Sequence, residues 1–213
     1  MKKFFAILLL IIIVAAGSIY FIYFRGGKRN PKGPKPVPMA VSKHSDVFNT
    51  SVQQVLAAYY GLSEALVNWD TASSTAKATT LLQALDSLRL DELKADTTGI
   101  YQSAADPLQN ARAATQTLLQ TGNLEARRHA FQNISENIRL LIIVVRYDRE
   151  KLYWQECPMA FGEDEAANWL SKSPEIRNPY LGLHHPDYKD GMLGCGETKA
   201  TIDYTAADTT QKK

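Results

Sequence analysis

Four stretches of this chain carry apolar residues at three- and four-residue steps, and that period limits what it can fold into more than any other feature. In the first, from Val47 to Trp69, the residues Phe48, Val52, Val55, Tyr59, Leu62, Leu66 and Trp69 recur on one face of a helix. Asp70 is a cap for the second helix, which turns Ala78, Leu81, Leu82, Leu85 and Leu88 inward and serines and threonines outward. Asp106-Pro107 has the form of a helix start, an acidic cap followed by proline, and Leu108, Ala111, Ala114, Thr115 and Leu118 continue the third stripe to a stop at Gly122. The fourth and longest is expected from Leu124 to Glu156, with Phe131, Ile134, Ile138, Leu141, Val145 and Leu152 as its stripe. Leu140 to Val145 is apolar all round, as suits the centre of a bundle.

Short connections and no alternating strand pattern make the expected fold class all-α, an antiparallel four-helix bundle over residues 44–156. Beyond Pro158 the regularity is lost. Ala166 to Ser171 suits one or two helical turns, while prolines at 174, 179 and 186 and glycines at 182, 191, 194 and 196 impose loops. Residues 157–200 therefore read as an irregular tail packed on the bundle through Phe161, Trp169, Ile176 and Tyr180, and residues 201–213, polar and threonine-rich, as a disordered end.

Ahead of the bundle, Phe4 to Phe24 is a nearly unbroken apolar run entered through Lys2 and Lys3. At about 20 residues such a run can cross a bilayer as a helix. Val14-Ala15-Ala16 offers a cleavage site for a signal peptide, but Ile19 to Phe24 continues the apolar run past it, which favours an uncleaved transmembrane anchor over residues 1–25. The run holds no cysteine, which excludes a lipoprotein anchor. Residues 26–43, with four prolines, glycines and scattered lysines, read as an extended tether. Arg25, Lys28, Arg29, Lys32 and Lys35 follow the span, and a strict count of basic residues would leave the domain in the cytoplasm. A signal-like segment ahead of a long soluble domain usually serves translocation, so the expected location is the inner membrane with the domain facing the periplasm. A formal net charge of +2, with no basic run interleaved with aromatics in the folded part, gives no electrostatic reason to expect nucleic acid as a partner.

Chemistry gathers in two clusters, Cys157-Pro158-Met159 and Met192-Leu193-Gly194-Cys195. A thiolate and a thioether one or two residues apart, twice over, can surround Cu(I) or a similarly soft ion with four sulfur donors. Arg177 or Lys189 would then offset the net negative charge of two thiolates on a monovalent ion. The competing reading is a disulfide between Cys157 and Cys195, which in an oxidising compartment would stabilise the fold by about 3 to 4 kcal/mol in the loop-entropy account. The adjacent thioethers favour the metal, since a disulfide has no use for them. His184-His185 is a possible additional ligand pair, although adjacent histidines in a proline-flanked loop are more often solvated. His129, beside Arg127 and Arg128, reads as a surface residue, and His44 has no evident partner. Neither cluster has zinc spacing.

An enzyme is the weakest reading. Glu163, Asp164 and Glu165 have no partner spaced for acid or base work, and no nucleophile elbow, phosphate-cradling loop or C-x-x-C occurs.

The run Cys157-Pro158-Met159-Ala160, with Trp169-Leu170-Ser171, Ile176-Arg177-Asn178-Pro179-Tyr180, Gly182 and Met192-Leu193-x-Cys195-Gly196, resembles the bacterial domain of unknown function 3347 family. Tyr60, Leu62, Ala65, Leu66 and Asp70 in the first helix, and Phe131 and Ser135 in the fourth, look like that family too, so the likeness covers about Val47 to Lys199. The resemblance implies a helical exported domain, alone or joined to periplasmic adaptor subunits of heavy-metal efflux pumps. It thereby implies copper or silver handling in the envelope, with efflux components as partners and Cys157, Met159, Met192 and Cys195 as the matching residues. Leu183 to Gly191 looks like extra loop relative to the family, and it carries His184 and His185.

Overall fold

The computed structural model describes residues 44–205. The expected anchor at 1–25, the tether at 26–43 and residues 206–213 of the expected disordered end lie outside the described residues. Among the described residues, no helix is long and apolar enough to cross a membrane.

Four helices form the larger part. Helix α1 (Asp46–Val67) starts at Ser45, whose hydroxyl accepts the Phe48 N–H at 3.1 Å, and it buries the expected stripe from Phe48 to Leu66. Helix α2 (Thr71–Asp86) is capped by Asp70, whose carboxylate accepts the Ser73 N–H at 2.8 Å. A short 3-10 turn (Asp91–Ala95) follows, and then α3 (Ile100–Gln120) and α4 (Leu124–Val145). Successive helices pack on one another, and Tyr59 of α1 stacks on Phe131 of α4 at 5.2 Å between ring centroids.

The all-α expectation is corrected by the segment after α4. A three-stranded antiparallel sheet occupies it, with β1 (Leu152–Cys157) between β2 (Ala167–Ser171) and β3 (Glu197–Ile202). Its register pairs Trp154 with Leu170 and Cys157 with Ala167 on one side, and Leu152 with Ile202 and Glu156 with Glu197 on the other. The expected irregular tail at 157–200 thus holds most of a sheet, Ala166–Ser171 is extended where helical turns were expected, and residues 201 and 202 belong to a strand and not to a disordered end.

Two helix boundaries also move. The fourth helix stops at Val145, eleven residues before the expected Glu156, because Arg146 turns left-handed (φ 51°, ψ 52°) and its N–H closes onto the carbonyls of Ile142 and Ile143. Leu152 keeps helical phase with Val145, which is why the sequence pattern runs on. The third helix starts at Ile100 behind Gly99 (φ 86°), so Pro107 lies within it and not at its first turn. A proline there lacks the N–H that the Ser103 carbonyl would otherwise accept.

Helices and sheet share one core. Tyr59 is its junction: its hydroxyl meets Ser135 Oγ of α4 at 2.7 Å and accepts the Leu170 N–H of β2 at 3.0 Å. Trp169 and Phe131 each lie 6.0 Å from the Tyr180 ring, and the Tyr180 hydroxyl donates to the Asn168 carbonyl.

Candidate functional site

The sheet brings the two distant cysteines together. Cys157 ends β1 and is fully buried, while Cys195 is half-buried two residues before β3. Both are thiols, with Cys157 Sγ and Cys195 Sγ 3.9 Å apart. The approach depends on Gly196 (φ 136°), where a Cβ would stand 2.5 Å from the Glu156 carbonyl oxygen and 3.2 Å from the Trp169 ring. Only glycine lets the two chains pass so closely there.

Asn178 fixes the incoming loop. It is fully buried, and its backbone N–H donates to the Leu193 carbonyl at 2.9 Å while its side-chain amide donates to the Cys195 carbonyl at 2.9 Å. Its Oδ1 accepts the N–H groups of Tyr180 and Leu181 at 2.8 and 3.1 Å. One side chain therefore ties the Tyr180 turn to the backbone of the second sulfur cluster. In the sequence it stood only as part of the Ile176–Tyr180 motif, with no role of its own, although Asn-Pro is a turn signal.

Burial pushes the Cys157 thiol up to about 11, against smaller lowering effects of the Met159 backbone N–H and the Asn178 side chain. Loss of water from around a would-be thiolate is the larger effect. At neutral pH the reduced Cys157 is protonated, and any ion it binds must displace that proton.

Met159 and Met192, the other expected ligands, are half-buried and packed against the core, with the Cys195 N–H donating to the Met192 carbonyl at 3.0 Å. His185 is occupied otherwise: its Nδ1 accepts the N–H groups of Asp187 and Tyr188, and its ring stacks on Tyr188. His184 is exposed. Among the described residues no three His, Cys, Asp or Glu side chains form a metal-holding group, so neither histidine joins the cysteine pair. Arg177 is held bidentately by Glu64 at 2.7 and 2.5 Å, and Lys189 donates to the Pro186 carbonyl, so neither is the free counter-charge the sequence suggested.

Three further side chains are buried with partners that the sequence did not reveal. His44 is buried, stacked on Phe48 at 4.2 Å, with its ring nitrogens on Glu92 at 3.0 Å and the Val145 carbonyl at 2.6 Å. Arg127 and Arg128 are also buried. Arg127 bonds Ser74, Thr75 and the carbonyls of Thr71 and Thr121, while Arg128 bonds the carbonyls of Leu66 and Pro179 and lies 4.0 Å over the Trp69 ring. His129 is exposed as expected and stacks on Phe161.

Taken together, these features define a four-helix domain closed by a small antiparallel sheet, with two thiols gathered at one end of its central strand. Its helical segment, residues 55–147, matches the family described as protein of unknown function (DUF3347). The match spans the helical positions Tyr60, Leu62, Ala65, Leu66, Asp70, Phe131 and Ser135, and ends before both sulfur clusters. No curated protein and no solved structure matches the chain.

Proposed function

We propose that this chain is a non-enzymatic envelope domain that binds a soft monovalent ion, Cu(I) or Ag(I), with Cys157 and Cys195 as thiolate ligands and Met159 and Met192 as flanking thioethers. The observation that carries the reading is the 3.9 Å separation of the two sulfurs. Two metal–sulfur bonds of about 2.3 Å span about 3.8 Å at a tetrahedral angle and about 4.0 Å at a trigonal one, so the pair fits one ion without rearrangement. A donor set of thiolate and thioether selects by softness, because hard ions gain little from it. The resemblance to a family associated with efflux adaptors supports a place in heavy-metal homeostasis, held at the inner membrane by residues 1–25 with the domain in the periplasm. Titration of the reduced full chain with Cu(I) against a chromophoric chelator tests the site. Submicromolar binding that falls at least a hundredfold in Cys157→Ser and Cys195→Ser is expected, and binding weaker than micromolar in the parent chain would end the reading. An alkaline phosphatase fusion to the carboxy terminus tests the topology, and cytoplasmic-type inactivity of that fusion would overturn it.

The same pair supports a second reading, a disulfide that fastens the loop from Asn178 to Cys195 onto β1 in a protein-interaction module. It is favoured by the position of the thiols beside adjacent antiparallel strands. Thiol counting on the exported chain distinguishes the two, since two free thiols are incompatible with a permanent bridge.

A further inference from the structure

A cleft of about 540 Å³ lies along α1, and neither cysteine lines it. Asn49 and Tyr60 of α1, Tyr147 and Glu150 of the turn after α4, and Lys172 just past β2 form its working surface. Three observations give it a chemical character.

Asn49 is only 6% exposed, and its Nδ2 donates to the His44 carbonyl at 3.3 Å, which fixes the amide. Its Oδ1 is left without a hydrogen-bond partner among the described residues. A buried acceptor with no donor is costly, and such a group at a cleft wall asks for a donor from a ligand.

Glu150 receives the Tyr60 hydroxyl at 3.1 Å and forms no ion pair among the described residues. Lys172 holds its ammonium 5.8 Å from the Tyr60 ring centroid, and it too forms no ion pair among the described residues. The remaining charges of the cleft are already matched, because Arg149 pairs with Asp46 and with Asp148, each at 3.5 Å. One uncompensated carboxylate and one uncompensated ammonium thus flank a single tyrosine ring.

We propose that this cleft binds a small zwitterion of the amino-acid or dipeptide type. Its ammonium meets Glu150 and the Asn49 carbonyl oxygen, its carboxylate meets Lys172, and its apolar part lies against Leu56 and the Tyr60 ring. A purely cationic ligand would leave Lys172 opposed, and a purely anionic one would leave Glu150 opposed, so only a molecule with both charges satisfies both walls. The volume lies within the range of about 300 to 1,000 Å³ usual for small-molecule sites. The proposal is independent of the sulfur pair.

Isothermal titration of the full chain with L-leucine, L-leucyl-glycine, N-acetyl-leucine and leucinamide tests it. Saturable binding of one or both uncapped probes is expected, and which of the two binds better reports the span between the charged walls. Capping either end should weaken binding at least tenfold. Glu150→Gln should abolish the preference over N-acetyl-leucine while keeping that over leucinamide, and Lys172→Met should do the reverse. Thermal melts confirm that both variants fold, and substitution of the exposed Lys172 keeps the test intact if Glu150→Gln does not. No saturable binding of either uncapped probe at 10 mM would overturn the proposal, as would capped probes that bind equally well or selectivity that neither substitution changes.

Discussion

Cys157 shows how a single position can be legible as chemistry and illegible as environment. Its neighbours in sequence announced sulfur ligation, but they placed it at a helix carboxy terminus, whereas it ends the central strand of a sheet and is fully buried. Burial raises its thiol from an ordinary value of 9.0 to about 11. A folded-state value above the unfolded one means that folding favours the protonated thiol. Its contribution is therefore complete below pH 9 and is lost as pH rises toward 11. Urea midpoints of the reduced chain should fall over that window more steeply than those of Cys157→Ala, and parallel curves would contradict the assignment. In the same reduced chain, iodoacetamide at pH 8 should label Cys157 slowly until the chain is unfolded, as mass mapping of the labelled peptide would show, because the thiolate and not the thiol is the nucleophile. Gly196 and Asn178, which bring the sulfurs together, had only weak local signals, since their roles are set by what approaches them from elsewhere in the fold.

At the scale of the elements, the parts written in sequence were those with local causes. The Asp70 cap is one, because the residue that accepts the bond and the residue that donates it are three apart. Asp70→Ala should cost about 1 kcal/mol, measured as a urea midpoint shift, within the range of about 0.5 to 2 kcal/mol seen for lost caps. The end of α4 had no such cause in view: Arg146 takes a left-handed conformation where glycine is the usual signal, and pairing of Leu152–Cys157 with two other strands overrides a continuing helical stripe. The strand itself was hidden because burial does not alternate along it. Trp154 and Gln155 are both buried at a register shift in the β1–β3 pairing. Arg127 and Arg128 precede the exposed His129, yet both turn inward to carbonyls and hydroxyls at the junction of α1, α2 and α4. Arg128 joins the carboxy-terminal end of α1 to Pro179 in the geometry of a guanidinium, and stacks on Trp69 besides. Arg128→Lys should therefore not be conservative. A loss of about 1.5 to 3 kcal/mol is expected from the charge-assisted bonds a lysine cannot reproduce, and a variant as stable as the parent would show that these contacts contribute little.

Across the whole molecule, the family match stops at Tyr147, yet the core does not. Leu152, Trp169, Leu170 and Tyr180 are no more than 1% exposed and pack in the same cluster as Tyr59, Phe131 and Ile138 of the helices. If the helical segment were an independent unit, removing everything after Glu150 would leave its stability intact. The contacts argue otherwise. Truncation would strip the Leu170 N–H from the Tyr59 hydroxyl and the Tyr180 ring from Phe131, and would bare the helical face that the sheet covers. Each large apolar side chain so removed accounts for about 1.5 to 3 kcal/mol of burial. Four of them alone would take on the order of 10 kcal/mol from a domain whose total stability is expected to lie at about 5 to 15 kcal/mol. A chain ending at Glu150 should consequently keep helical far-ultraviolet circular dichroism, lose its cooperative thermal transition and bind the dye ANS, the behaviour of a collapsed but loosely packed state. A sharp transition at the parent's melting temperature would show instead that the helices stand alone and that the sulfur-bearing sheet is an appendage to them.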